Sequence, residues 1–312
     1  MGAVNITLMK KIFELLKKSV FDFLDDNAMK FSAALSYYTI FALPPLMILI
    51  ISASSFFVEQ NDVANFFYDQ LTDLVGPNAT EEVKGAMANV QLSKKGNIAT
   101  IVGVVMLLFS ASGVFAEIQS SINYIWGIAA KPDKSVVRLV KNRLLSFAMI
   151  ASVGFVLLVS LFVNSMVSLL YGFLGEFFAE ETIYLVYVLN NIVVFLVITV
   201  LFMLIFKTLP NGKIRWKDTF VGAGFTAILF MIGKFGIGLY LGNTASMSLY
   251  GAAGSIIVML VWVYYSAMIL YFGAEFTKNY TELFGRKIIP GEYSVEIRKN
   301  VVKDSSDISG GV

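Results

Sequence analysis

Six long apolar stretches decide what this chain can fold into. They cover roughly 32–57, 98–122, 144–170, 184–206, 219–241 and 250–272. Each is long enough to cross about 30 Å of hydrocarbon, which takes about 20 helical residues. Hydrocarbon offers backbone amides no partner, so a spanning segment must satisfy its own as a helix, or close into a barrel. Barrel strands run about 10 residues and alternate apolar with polar; these stretches do not alternate. The expected fold class is therefore all-α, a polytopic membrane protein with six transmembrane helices. Composition agrees: 57% of residues are hydrophobic, 15% are charged, and the mean hydropathy is +0.74. A soluble domain averages about 45–50% apolar and about 25% charged.

Lysine and arginine orient the helices, because cytoplasmic loops carry an excess of both. Lys10, Lys11, Lys17, Lys18 and Lys30 precede or open the first stretch. Lys131, Lys134, Arg138, Lys141 and Arg143 lie between the second and third. Lys207, Lys213, Arg215 and Lys217 lie between the fourth and fifth. Lys278, Arg286, Lys287, Arg298, Lys299 and Lys303 follow the sixth. The opposite loops hold only Lys84, Lys94 and Lys95, and Lys234 falls inside the fifth stretch. Both termini are expected in the cytoplasm, with a multi-pass location in a bacterial inner membrane.

One transmembrane domain is expected over 1–285, followed by a polar cytoplasmic tail, 286–312, that is partly disordered. The N-terminal part is too broken by charge to be a signal peptide. Leu8, Ile12, Leu15, Leu16, Val20, Phe23 and Leu24 recur at helical spacing, which predicts an amphipathic helix over about 7–24. It either lies in the membrane interface or packs against the bundle. The external loop, about 58–97, is expected to be partly helical, with a break at Gly76-Pro77.

Several strings then carry a likeness. Residues 34–46 read ALSYYTIFALPPL, 115–127 read FAEIQSSINYIWG, and 209–218 read LPNGKIRWKD. Residues 222–227 read GAGFTA, 250–265 read YGAAGSIIVMLVWVYY, and 273–275 read GAE. In this order and spacing, over about 25–280, the chain resembles the YihY/BrkB family of bacterial inner-membrane proteins. The resemblance implies six spans and the export of lipids or amphiphilic small molecules. It also brings two historical labels, ribonuclease BN and virulence factor. It supplies no catalytic residue.

Ionisable groups at membrane depth are costly and usually functional. Three qualify: Glu117, Lys234 and Glu275. Glu117 shares the end of the second stretch with Gln119 and Asn123. Glu275 ends the sixth, so both carboxylates are expected near the cytoplasmic side. They read either as a gate, proton site or cation site, or as structural partners for Arg138, Arg143 or Lys278. Lys234 sits in the outer half and reads either as an anion-binding group or as a snorkelling lysine. Asn164, Asn190 and Asn191 are also in the outer half, as packing amides or as the lining of a polar pocket with Lys234. Gly222, Gly224, Gly233, Gly236, Gly238 and Gly242 crowd the fifth stretch, for close packing or for a flexible gate. Pro44-Pro45 is expected to kink or break the first helix. Trp126, Trp216 and Tyr124 are expected in an interfacial aromatic belt.

These features favour a transporter or exporter of an anionic or amphiphilic small molecule or lipid. The alternative is a non-transporting envelope-assembly scaffold. An enzyme is not expected, and a nuclease least of all. The chain has no histidine and no cysteine, which removes the commonest metal ligands and general base. Its net charge is only +2, so no nucleic-acid partner is expected. Membrane lipids and an anionic amphiphile are the expected partners, with a homo-oligomer compatible. No cofactor and no metal are implied.

Overall fold

The computed structural model describes residues 2–54, 59–89, 97–131, 143–156, 159, 181–242, 252–284, 286–292 and 294–297. The chain is mostly helical in these residues. In chain order the helices are α1 (Gly2–Asp25), α2 (Ala28–Ser54), α3 (Gln60–Val75), α4 (Pro77–Asn89) and α5 (Asn97–Ile125). They continue as α6 (Arg143–Val156), α7 (Glu181–Thr208), α8 (Trp216–Gly242) and α9 (Ala252–Leu283). Among the described residues, four are long and apolar enough to cross a membrane, over Ala28–Ser52, Asn191–Thr208, Trp216–Ile237 and Ile256–Leu283. The second expected span falls on α5, a single apolar helix of 29 residues. The third falls partly on α6, and its remainder, with Asn164, lies almost wholly outside the described residues.

The N-terminal helix runs from Gly2 to Asp25 and docks on α9. It buries Leu15, Ser19 and Phe23, one residue per turn along a single face. Phe23 meets Phe272 edge-on, with ring centroids 5.9 Å apart. Met9, Phe13, Val20 and Leu24 remain exposed on the same helix. Docking on the bundle and an apolar outer face therefore occur together.

Helix α2 packs against α5 and α9 and runs unbroken through Pro44 and Pro45. This corrects the expected break: the prolines withhold two amide donors, yet the helix continues on both sides. Helices α3 and α4 lie across the far end, against α2 and α9. Gly76 separates them at φ +88°, a conformation open to glycine, and Pro77 opens α4 where its missing N–H is unneeded. Val63, Ala79 and Val83 pack there on Met47, Ile51 and Met259.

Four short strands were not expected. Strand β1 (Ile128–Ala130) pairs antiparallel with β4 (Ser294–Glu296), and β2 (Gly212–Lys213) with β3 (Ile289–Pro290). The segment after α9 thus returns to pair with the loops that follow α5 and α7. At two or three residues, these strands are too short to leave a period-two pattern.

Helices α8 and α9 approach each other closely. Gly222 of α8 faces Thr277 of α9, and Gly273 of α9 faces Thr226 of α8. A Cβ on either glycine would collide with the opposing threonine side chain. Each threonine hydroxyl donates back to the glycine carbonyl on its own helix, Thr226 to Gly222 at 2.7 Å and Thr277 to Gly273 at 2.6 Å. The hydroxyls are satisfied locally, and each threonine side chain, its Oγ1 nearest, fills the opposing notch. Gly233 is also closed in, by Tyr265 and Ile269, whereas Gly224 and Gly236 face open space. Close packing therefore accounts for part of the glycine run.

Overpacking a tight interior site costs about 1–3 kcal/mol. Gly222→Ala and Gly273→Ala should each lower stability by that amount, and Gly224→Ala should not. Thermal unfolding of the three purified variants in one detergent checks this.

Candidate functional site

Polar side chains collect at one end of the bundle. This basic end holds the ends of α1, α5, α7 and α9, the starts of α2 and α8, and the short strands. On α5, Gln119 and Asn123 are both buried. The Gln119 amide donates to the Leu209 carbonyl at 2.5 Å, and Asn123 Oδ1 accepts from the Asn211 backbone N–H at 2.7 Å. Their work is to hold the loop after α7 against α5. Trp126 is buried too, and its indole N–H donates to the Ala274 carbonyl at 3.1 Å. This corrects its assignment to an aromatic belt; Trp216 and Tyr124 are exposed.

Glu117 is half-buried on α5, and its Oε1 accepts from the Ser121 hydroxyl at 3.2 Å. The Tyr271 hydroxyl of α9 lies beside Ser121, within electrostatic reach of Glu117. One turn further along α9, Glu275 has no exposed surface. Its Oε2 lies 3.5 Å from Lys278 Nζ, and Lys278 Nζ lies 3.9 Å from Asp26 Oδ2. Asn279 donates to Asp22 Oδ2 at 2.9 Å and to the Ser19 hydroxyl at 3.4 Å. On the α8 side, buried Asp218 takes a 2.6 Å bond from Arg286. Glu117, Gln119, Asn123 and Glu275 are thus gathered at one end.

The outer-half candidates are not brought to them. Lys234 is exposed, flanked by exposed Ile232 and Phe235. It lies about 27 Å along α8 from Trp216, at about 1.5 Å per residue. Asn191 is half-buried on α7; the side chain of Asn190 lies outside the described residues. Of the cations expected to partner Glu117 or Glu275, Lys278 pairs with Glu275. Arg143 instead donates to the Ser112 hydroxyl and stacks over Phe109. Arg138 lies outside the described residues. Asp22, Asp26, Tyr271, Asn279 and the Asp218–Arg286 pair were missed as site residues. Only their shared helical spacing with Glu275, for those on α9, was a usable signal.

A cleft of about 490 Å³ opens at this end. Trp126, Lys278, Glu282, Arg286 and Lys287 line it, with Ile288 and Pro290 from the returning segment. Lys278 and Arg286 are the same cations that pair with the buried carboxylates. The cleft therefore combines apolar surface with three cations and the carboxylates of Glu282 and Glu296.

Helices of this length and apolarity, with large side chains such as Phe41, Phe109, Phe220 and Phe235 exposed along them, define an integral membrane protein. The family model described as virulence factor BrkB matches residues 20–288, and the chain belongs to that family. A UPF0761 membrane protein of Stenotrophomonas maltophilia is 29% identical over 264 residues, covering 82% of this chain and 58% of that one. One from Xanthomonas oryzae pv. oryzae is 30% identical over 265 residues, with the same coverage. One from Aeromonas salmonicida is 28% identical over 250 residues, covering 78% of this chain and 80% of its own. The chain thus spans little more than half the length of several curated relatives that it matches. No solved structure matches it.

Removing one partner of a buried charged hydrogen bond costs about 1–3 kcal/mol, because the other is left unsatisfied. Arg286→Ala should destabilise the protein by that amount, and adding Asp218→Asn should recover much of the loss. A double-mutant cycle of thermal unfolding measures the coupling.

Proposed function

We propose that this protein is an exporter of an anionic amphiphile, a lipid or a lipid-like small molecule, and not an enzyme. It is read as a six-helix protein of a bacterial inner membrane, with the basic end and both termini in the cytoplasm. Membrane lipids are its partners, with the amphiphile as substrate and no nucleic acid. The observation that carries the reading is the cleft at the basic end. Basic pockets at the cytoplasmic ends of membrane helices suit anionic headgroups, and the Trp126–Ile288–Pro290 floor suits an attached apolar chain. Lys278 of the cleft meets Glu275, and one turn along α9 Tyr271 lies beside Ser121, which donates to Glu117, a polar line into the bundle. That line supports a pathway entered from the cytoplasm, hence export.

The test is transfer of a fluorescent anionic phospholipid between leaflets of vesicles holding the purified protein, with a zwitterionic analogue for comparison. Protein-dependent transfer of the anionic probe is expected. Lys287→Glu, at an exposed position on the cleft, should slow it about tenfold, the equivalent of about 1.4 kcal/mol. Equal rates with and without protein for both probes would overturn the reading.

Orientation has its own test, since the chain has no cysteine. In intact spheroplasts a membrane-impermeant maleimide should label Glu82→Cys on α4, and label Lys213→Cys on β2 only after lysis. Both positions are exposed.

A further inference from the structure

The polar group around Glu275 is rich in acceptors. Asp22, Asp26 and Glu275 bring six carboxylate oxygens, and Asn279 adds an amide oxygen. The Ser19 hydroxyl is used on the Leu15 carbonyl at 2.8 Å. The Asn279 amide group is used on Asp22 and Ser19. Lys278 supplies the one ammonium, at 3.5 Å from Glu275 and 3.9 Å from Asp26. Glu275 Oε1 and Asn279 Oδ1 are both buried with no N–H or ordinary O–H donor. Yet Glu275 and Asp26 both reach the same Lys278 Nζ, at 3.5 and 3.9 Å, and so are held side by side. Two carboxylates cannot hydrogen-bond to each other; a carboxylic acid and a carboxylate can.

We propose that Asp26 and Glu275 form a proton-binding site, holding one proton between their carboxyls beside Lys278. With that proton, Asp26, Glu275 and Lys278 sum to zero charge. Without it, two carboxylates face each other with one ammonium between them, in a place where Glu275 sees no solvent. Carboxyls that share a buried site do not both ionise readily. The other charges bearing on Glu275 argue the same way. Asp22 on α1 adds a negative charge, and Glu117 of α5 lies near Tyr271, one turn along α9. On the α8 side, Asp218 is paired through Oδ1 with Arg286. A metal ion is a poorer occupant, since among the described residues no three acidic side chains converge to hold one. A proton satisfies the orphaned oxygen with no rearrangement. The site joins the turn between α1 and α2 to α9, and it stands whatever the cleft binds.

Infrared spectroscopy of the full chain in lipid nanodiscs tests this. At neutral pH the wild-type protein should show a protonated-carboxyl C=O band that bleaches reversibly as pH is raised. Asp26→Asn and Glu275→Gln should each remove that band, since either leaves a single carboxylate beside Lys278. Glu117→Gln should leave it in place. Absence of the band from wild type would overturn the proposal without recourse to any variant. So would its persistence in both Asp26→Asn and Glu275→Gln. A second measurement is thermal stability against pH. A proton held in the folded pair and released on unfolding makes stability fall as pH rises. That slope should flatten in Glu275→Gln and be the same in sodium and potassium buffers. A slope unchanged in Glu275→Gln, or stabilisation by sodium alone, would reject the proton as occupant.

Discussion

Helices in a bilayer gain little from hiding apolar surface, since lipid tails are as apolar as leucine. What holds this bundle is shape, and α8 and α9 fit closely. The Gly222–Thr277 and Gly273–Thr226 notches are reciprocal, which favours this register of the two helices. Everything at the basic end is built on that register. Helix α9 presents Tyr271, Glu275, Lys278 and Asn279 to α1, α2 and α5, while α8 presents Asp218 to Arg286. A slip of one helix along the other would separate Asp218 from its guanidinium and carry Glu275 away from Asp26.

Much of this was legible in the chain, for reasons that differ by residue. The helices show because hydrocarbon length and backbone self-satisfaction leave a coarse, unmistakable trace. Glu117 and Glu275 show because carboxylates in apolar stretches are rare. The break at Gly76-Pro77 shows because both residues have strong backbone preferences. Asp26 did not show. It sits in a stretch dense with charge, and only folding of α1 onto α9 distinguishes it from Asp25. Trp126 looked like a belt residue because its place along α5 is right for one; its burial depends on α9 supplying the Ala274 carbonyl. Gln119 and Asn123 looked like pathway groups, but their amides are taken up by a loop about ninety residues away. The strands left no trace, since their pairing is set by partners distant in the chain.

Lys278 belongs to two places at once. It lines the cleft and it is the counter-ion of the Asp26–Glu275 pair. An anion entering the cleft and a carboxylate losing its proton draw on the same ammonium. Binding linkage is reciprocal, so proton binding at the pair, as proposed, would favour an anion in the cleft, and an anion in the cleft would favour the proton.

The segment after α9 also has a mechanical meaning. Its β3 residues hydrogen-bond to the loop between α7 and α8, and its β4 residues to the chain leaving α5. Lys131 adds a further tie, to the Glu292 carbonyl at 2.9 Å. The ends of α5, α7 and α9 and the start of α8 are therefore yoked by one strap. No single one of them can tilt at this end without pulling on the others, so the mouth of the cleft is a collar whose walls shift together or not at all.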